Sequence, residues 1–294
     1  SRGLGDVYKR QIMCRPTGAS TSFESANFPM GVTKGSTTTC PTENLVSAYE
    51  MTDGTAFDWS NAEMAKDPYA NRDPRLGMTV VYNGMAWPKT TPVEVFEGGK
   101  NGQPIKNATT TGYYLRKYVN NSVTFEPGET TTSQQHNWIL FRYAEILLNY
   151  AEAVFERDGA ISDEDLNLSL NLVRCRINAK MPKLTNAFAS THDLDMRTEI
   201  RRERTIELFN EGFRIDDLKR WKTAETEMPM DIVGIQWKGT EYEKVWANCP
   251  YETNAEGCII IEKGRKWEEK NYLFPLPSDQ LQLNPNLQQN PGWE

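Results

Sequence analysis

A mainly α-helical fold, built from helix pairs carrying a large loop-rich layer with short β-hairpins, is predicted by three observations. The chain changes texture near Asn137: ahead of it Thr, Asn, Gly and Pro dominate, and behind it apolar residues recur at steps of three and four. Glycines fall where the helical stretches should stop, at Gly159 and Gly212. Leu, Ile, Val and Phe make up only about a fifth of the 294 residues, while eight Trp and twelve Tyr add ring surface. Such a chain is ordered but polar, and packs through aromatic rings.

The helical half reads element by element. Leu140, Tyr143, Leu147, Ala151 and Val154 line one stripe, with Arg142, Glu145, Asn149, Glu152 and Glu156 opposite. Phe141, Leu148 and Phe155 fall on a further side, so this helix should be buried on more than one flank. Gly159 ends it. Ser162 with Asp165 makes a capping-box pattern for a helix through Leu166, Leu170, Val173 and Ile177 that stops before Met181 and Pro182. A short connection makes the two an antiparallel αα-hairpin.

A second pair follows, from Leu194 to Asn210 and from Phe213 to about Lys222. Its first helix carries Glu199, Glu203, Glu207 and Glu211 at four-residue spacing, a destabilising like-charge stripe by itself. Arg201, Arg202, Arg204, Arg214 and Arg220 supply compensation. The stripe is either an anion site or an Arg–Glu lattice joining helices, and the lattice is the commoner use of such pairs. Glu203, Glu207, Arg214 and Arg220 are therefore expected to be structural. Beyond Trp221 come Trp237, Trp246, a strand through Cys258–Ile261, a short turn capped by Ser278, and a tail rich in Pro and Asn.

In the loop-rich half, Met78–Tyr82 and Met85–Trp87 flank Asn83-Gly84 and predict a hairpin with a type I′ turn. Gly98-Gly99 and Asn101-Gly102 mark another reversal, and Gly112 to Val119 reads as a strand. Too few strands are present for a barrel, so a loop-dominated surface layer is expected.

Lys plus Arg is 33 against 40 Asp plus Glu, a net charge of −7, which argues against a nucleic-acid binder. No apolar run approaches the ~18 residues of a membrane span. Cys14, Cys40, Cys175, Cys249 and Cys258 are odd in number and irregular in spacing, so no disulfide scaffold is expected; Cys249 and Cys258 read as buried thiols rather than a bridge. His136 and His192 stand far apart without ligand spacing, and no zinc or other cofactor is expected. Residues 1–11 lack the pattern of a signal peptide and read as a non-native leader, so that the chain would begin mid-protein. Cys14 lacks the apolar stretch that lipid attachment needs.

Several motifs resemble those of the SusD/RagB family. They are RYAEILLNYAEA from Arg142 to Ala153, IRRERTIELFNEGFR from Ile200 to Arg214, DLKRW from Asp217 to Trp221, and the ending YLFPLP (Tyr272–Pro277), LNPNL (Leu283–Leu287) and QNPGW (Gln289–Trp293). Upstream, PTENLVSAYEMTDG (Pro41–Gly54), DPRL (Asp73–Leu76) and GYYLRKY (Gly112–Tyr118) look like further landmarks. The resemblance runs in order from about Phe28 to Trp293 and covers the C-terminal half of such a protein. It implies an irregular tetratricopeptide-like scaffold over residues 138–294 and a ligand-holding layer over residues 12–137. It also implies a surface-exposed outer-membrane lipoprotein, anchored through an N-terminal half absent here, that captures oligosaccharides or peptides without catalysis. A SusC-type TonB-dependent transporter would receive the cargo.

Sugars stack on rings and bond to amides and charged groups. By region rather than by motif, Trp87 is the first platform candidate and Trp59 the second; Tyr82 could share it, and Asn83 or Arg72 could bond hydroxyls. A Trp packed under its own loop is the competing reading for each ring. Two other function classes stand beside this one. A glycoside hydrolase would need two carboxylates about 5–9.5 Å apart, and no local motif nominates them; Asp67 and Asp73 read as turn residues. A plain tetratricopeptide interaction scaffold would not need so large a non-helical layer.

Overall fold

The computed structural model describes residues 11–176, 179–237, 243 and 251–294. Among these, twelve α-helices and three two-stranded antiparallel sheets organise the chain, so the fold is mainly α with only short strands.

Strand β1 (Gln11–Pro16) pairs with β4 (Asn137–Arg142), with Cys14 opposite Ile139 and Arg15 opposite Trp138. The pairing corrects the expected helix start: Leu140 and Phe141 belong to a strand, and the helix α5 (Tyr143–Asp158) begins only after Arg142. Trp138, Ile139 and Phe141 suit a pleated strand, and the partner that fixes them lies over a hundred residues away. Gly159 caps α5 with φ +69°, its N–H donating to the Phe155 carbonyl.

Ser162 accepts a hydrogen bond from the Asp165 N–H and starts α6 (Asp163–Leu168). The single helix expected onward is instead broken at Ser169, whose hydroxyl donates to the Asp165 carbonyl, and it resumes as α7 (Leu170–Arg174). Leu166, Leu170 and Val173 still pack with Leu147, Leu148, Ala151 and Phe155 of α5. Ile177 lies outside the described residues, as do Trp246 and Cys249. Both expected flanks of α5 are buried at Leu147 and Ala151 and at Leu148 and Phe155, whereas Tyr143 of the first stripe is exposed, as are Ile146 and Tyr150. Helix α8 (Asn186–Thr191) leads to α9 (Met196–Glu207), which Asp195 caps, and the turn at Asn210 (φ +59°) and Gly212 (φ +88°) delivers α10 (Arg214–Arg220). After α11 (Ala224–Glu227) come the paired strands β5 (Ile232–Gln236) and β6 (Cys258–Glu262), and α12 (Ser278–Leu283) lies near the end.

The loop-rich half holds α1 (Ser22–Asn27), α2 (Glu43–Val46), α3 (Ala62–Lys66), α4 (Pro74–Thr79), β2 (Val80–Val81) and β3 (Tyr114–Leu115). The hairpin expected across Asn83-Gly84 does not form. Asp73 caps α4, Pro74 occupies its first turn, and Met78 is thereby drawn into a helix. Strand β2 then pairs with β3, not with its neighbour. Gly84 does turn the chain at φ +81°, and Met85–Trp87 folds against Thr91–Val93. The strand expected from Gly112 to Val119 shortens to Tyr114–Leu115.

This half is not merely a surface layer. Tyr49, Tyr113 and Tyr114 are fully buried in it with Leu76, Val80 and Val81, and the core extends across residue 137 to Ile206, Ile235, Trp237 and Ile259.

The carboxylates of α9 form a lattice, although most of its cations come from elsewhere. Arg75 of α4 bonds Asp73 (2.7 Å), Glu203 and Glu207 (3.2 Å). Arg142 reaches Glu207 and Glu211, each at 2.7 Å; Arg176 reaches Glu207 at 2.5 Å and Lys117 reaches Glu211 at 2.6 Å. Arg174 joins Glu50 to Glu203. Arg214 and Arg220 are more exposed than expected, the first paired with Glu227 and the second bridging Glu152 and Asp217.

Burial alone would raise the pKa of Glu203 and Glu207. The guanidinium groups of Arg75 and Arg174 on the first, and of Arg176 and Arg142 on the second, outweigh it and hold both carboxyls below the ordinary 4.5. Such groups bind protons more readily when unfolded, so their contribution is present above 4.5 and is lost as pH falls below it. Calorimetric melting temperatures should therefore hold between pH 7 and pH 5 and fall steeply below about pH 4.5. A curve flat to pH 3 would contradict the lattice.

Candidate ligand-binding site

A connected strip of rings crosses the loop-rich half. At one end Trp59, half-buried, donates its indole N–H to Glu43 of α2 (3.3 Å) and meets Phe57 edge-on with centroids 4.8 Å apart. Glu43 also accepts from the Ser47 hydroxyl (2.6 Å) and from the Tyr113 hydroxyl. Tyr69 donates to Tyr113 (3.2 Å) and lies flat on Tyr82, with centroids 4.2 Å apart. Beyond Tyr82 come Met85 and Arg116, whose guanidinium covers the Trp87 ring at 4.6 Å.

The electrostatics of the strip follow from burial. Glu43 is enclosed, and desolvation pushes its carboxyl up despite the bonds from Ser47, Tyr113 and Trp59 and the charge of Arg72. Tyr113 is pushed well above the usual phenol range by burial and then by Glu43, and Tyr82 is raised by burial and then by Asp67. Both hydroxyls stay protonated, that of Tyr113 donating to Glu43 inside the fold. Past Trp87 opens a cleft of roughly 340 Å³ lined by Phe28, Val32, Lys89, Phe125 and Glu129. Two hollows of roughly 530 and 550 Å³ lie elsewhere: one beside α5 and α9 is lined by the paired Glu152, Glu156, Arg201 and Arg220, and the other lies at the turn between α9 and α10. Among the described residues no cluster of three or more His, Cys, Asp or Glu is placed to hold a metal, and no helix is long and apolar enough to cross a membrane.

The model of the SusD family matches residues 8–293. The chain belongs to the SusD family. A SusD-like carbohydrate binding protein from Bacteroides fragilis is 28% identical and superposes with a TM-score of 0.68, over 84% of this chain and 48% of its own. Another SusD-like protein from Bacteroides fragilis is 24% identical with a TM-score of 0.68, over 97% of this chain and 54% of its own. The chain thus spans about half the length of these relatives. No curated protein matches it.

Within this SusD-family chain the residues singled out from sequence divide sharply. Trp59 and Tyr82 are half-exposed and belong to the strip. Trp87 is 5% exposed, with Arg116 over its ring and only a small part of it reaching the wall of the 340 Å³ cleft; its indole N–H is buried without a hydrogen-bond partner. Asn83 is buried, its side-chain carbonyl accepting from the Val95 N–H (2.9 Å). Arg72 is buried too: it donates to the Pro68, Val46 and Tyr49 carbonyls at 2.6–2.9 Å and stacks on Phe57. Asn83 and Arg72 therefore hold backbone in this fold. Sequence reasoning missed Tyr69, Tyr113, Glu43 and Arg116. Three of these lie inside the quoted landmarks, Glu43 in PTENLVSAYEMTDG and Tyr113 and Arg116 in GYYLRKY, but only tertiary contact joins them.

Proposed function

We propose that this chain captures oligosaccharides on the strip from Trp59 to Tyr82 and does not turn them over. The observation that carries the reading is the set of half-buried rings Trp59, Tyr69 and Tyr82 held over the buried Tyr113–Glu43 pair, in a family whose Bacteroides fragilis relative is described as carbohydrate binding. Sugar faces gain from apolar contact with rings, and their hydroxyls from nearby polar groups. The enclosed Glu43, committed to three donors, is not a free acid–base pair of the kind hydrolysis needs. Residues 12–137 carry the ligand. The helices α5 with α6–α7, and α9 with α10, act as tetratricopeptide-like pairs that hold the layer in place. In the cell the protein stands on the outer membrane, lipid-anchored and facing outward, and passes its cargo to a SusC-type TonB-dependent transporter. Release to a transporter calls for modest affinity, Kd about 1 mM to about 1 μM.

A panel of immobilised plant, host and microbial glycans separates the readings. Retention of the protein with no released product is expected. Appearance of shortened oligosaccharides would make it a hydrolase, and failure to bind any glycan would leave the interaction scaffold.

A further inference from the structure

Among the described residues, Arg116 is set apart from the other inward-facing arginines by its partners. Arg75, Arg142, Arg174, Arg176, Arg202 and Arg204 face carboxylates, and Arg72 spends both terminal nitrogens on three carbonyls while its Nε lies buried and unpaired. Arg116 has no carboxylate. One of its terminal nitrogens, Nη1, bonds the Gly77 carbonyl and touches the Met85 sulfur (3.8 Å), while Nε and Nη2 make no bond within the protein and are not sealed from solvent. Half-buried, it loses hydration, and burial draws its pKa down with only the Tyr82 hydroxyl acting against that. The Trp87 ring beneath it fixes the plane of the guanidinium. A cation kept part-dry, flat and with one edge free is arranged to receive a planar anion by two parallel N–H···O bonds.

Resting on the capture reading, we propose that Arg116 selects carboxylate-bearing saccharides, with the uronate group on Nε and Nη2 and an adjoining sugar ring against Tyr82. The chain's net charge of −7 gives no general attraction for acidic glycans, so a dedicated cation would have to supply it. Trp87 then acts as a positioning residue beneath the guanidinium. The acidic neighbour of Tyr82, Asp67, makes no ion pair with Arg116.

Titration of the protein with oligogalacturonate, oligoglucuronate and sialyl-lactose, each beside its carboxyl-reduced counterpart, tests this. A preference of tenfold or more for at least one acidic form is expected, weakening as NaCl rises. In Arg116→Gln the acidic-to-reduced ratio should collapse towards one, and Arg116→Lys should restore part of it; melting curves report whether each variant is folded. Equal affinity of the native protein for the acidic and reduced forms would overturn this inference and leave the capture reading standing. So would an acidic preference that survives Arg116→Gln, or selective capture of acidic peptides in place of saccharides. Binding of no saccharide at all would overturn the capture reading itself.

Discussion

Arg75→Ala should lower the stability of the protein by about 3–5 kcal/mol, because it leaves Asp73, Glu203 and Glu207 buried without their shared cation. The Arg75 side chain is 3% exposed, so water cannot take its place. At about 2 °C per kcal/mol for a chain of this size, the melting temperature should drop by roughly 6–10 °C. Arg214→Ala is the contrast. Its pair with Glu227 is 47% exposed on the arginine side, and such pairs are worth about 1 kcal/mol or less. Scanning calorimetry of the two variants side by side checks both, and equal shifts would mean that the lattice does not join α4 to α9.

Trp87→Ala should be almost as damaging, for a different reason. Large-to-small changes at buried aromatic positions cost about 3–5 kcal/mol, because the vacated volume collapses only in part. Trp87 packs in the same core as Tyr113, Leu115 and Val123 and supports Arg116 from below. The variant should melt early whether or not ligand is present. Trp87→Phe should recover more than half of the loss. A Trp87→Ala protein that melts like the parent but fails to bind glycan would restore this ring as a platform and contradict its placement in the core.

What could be read from sequence was what lies within a few residues. The caps at Ser162 and Gly159 were legible because donor and acceptor are neighbours in the chain. So was the acidic stripe of α9 as a lattice. The identity of its cations was not, since Arg75 lies 128 residues from Glu203. The start of α5 was misplaced because the partner of β4 lies at the far end of the chain, and apolar spacing around Leu140 suits either period. Trp59 and Tyr82 are nominated by region alone, and the structure leaves both half-buried. Arg72 and Asn83 are buried against backbone, and a polar side chain that serves buried carbonyls or N–H groups looks, in sequence, like one that serves a sugar. Neither the stacking of Tyr69 on Tyr82 nor the Tyr113–Glu43 bond, which spans 70 residues, leaves any local trace.

The strip, and not the clefts around α9, is the surface proposed to receive the ligand. The direct measurement is a calorimetric titration of the double variant Trp59→Ala/Tyr82→Ala with the glycan that the native protein retains best, alongside its melting curve. Two ring contacts at about 0.5–1.5 kcal/mol each predict a loss of roughly fivefold to a hundredfold in affinity, with the fold retained. Native affinity in a folded double variant would contradict the account.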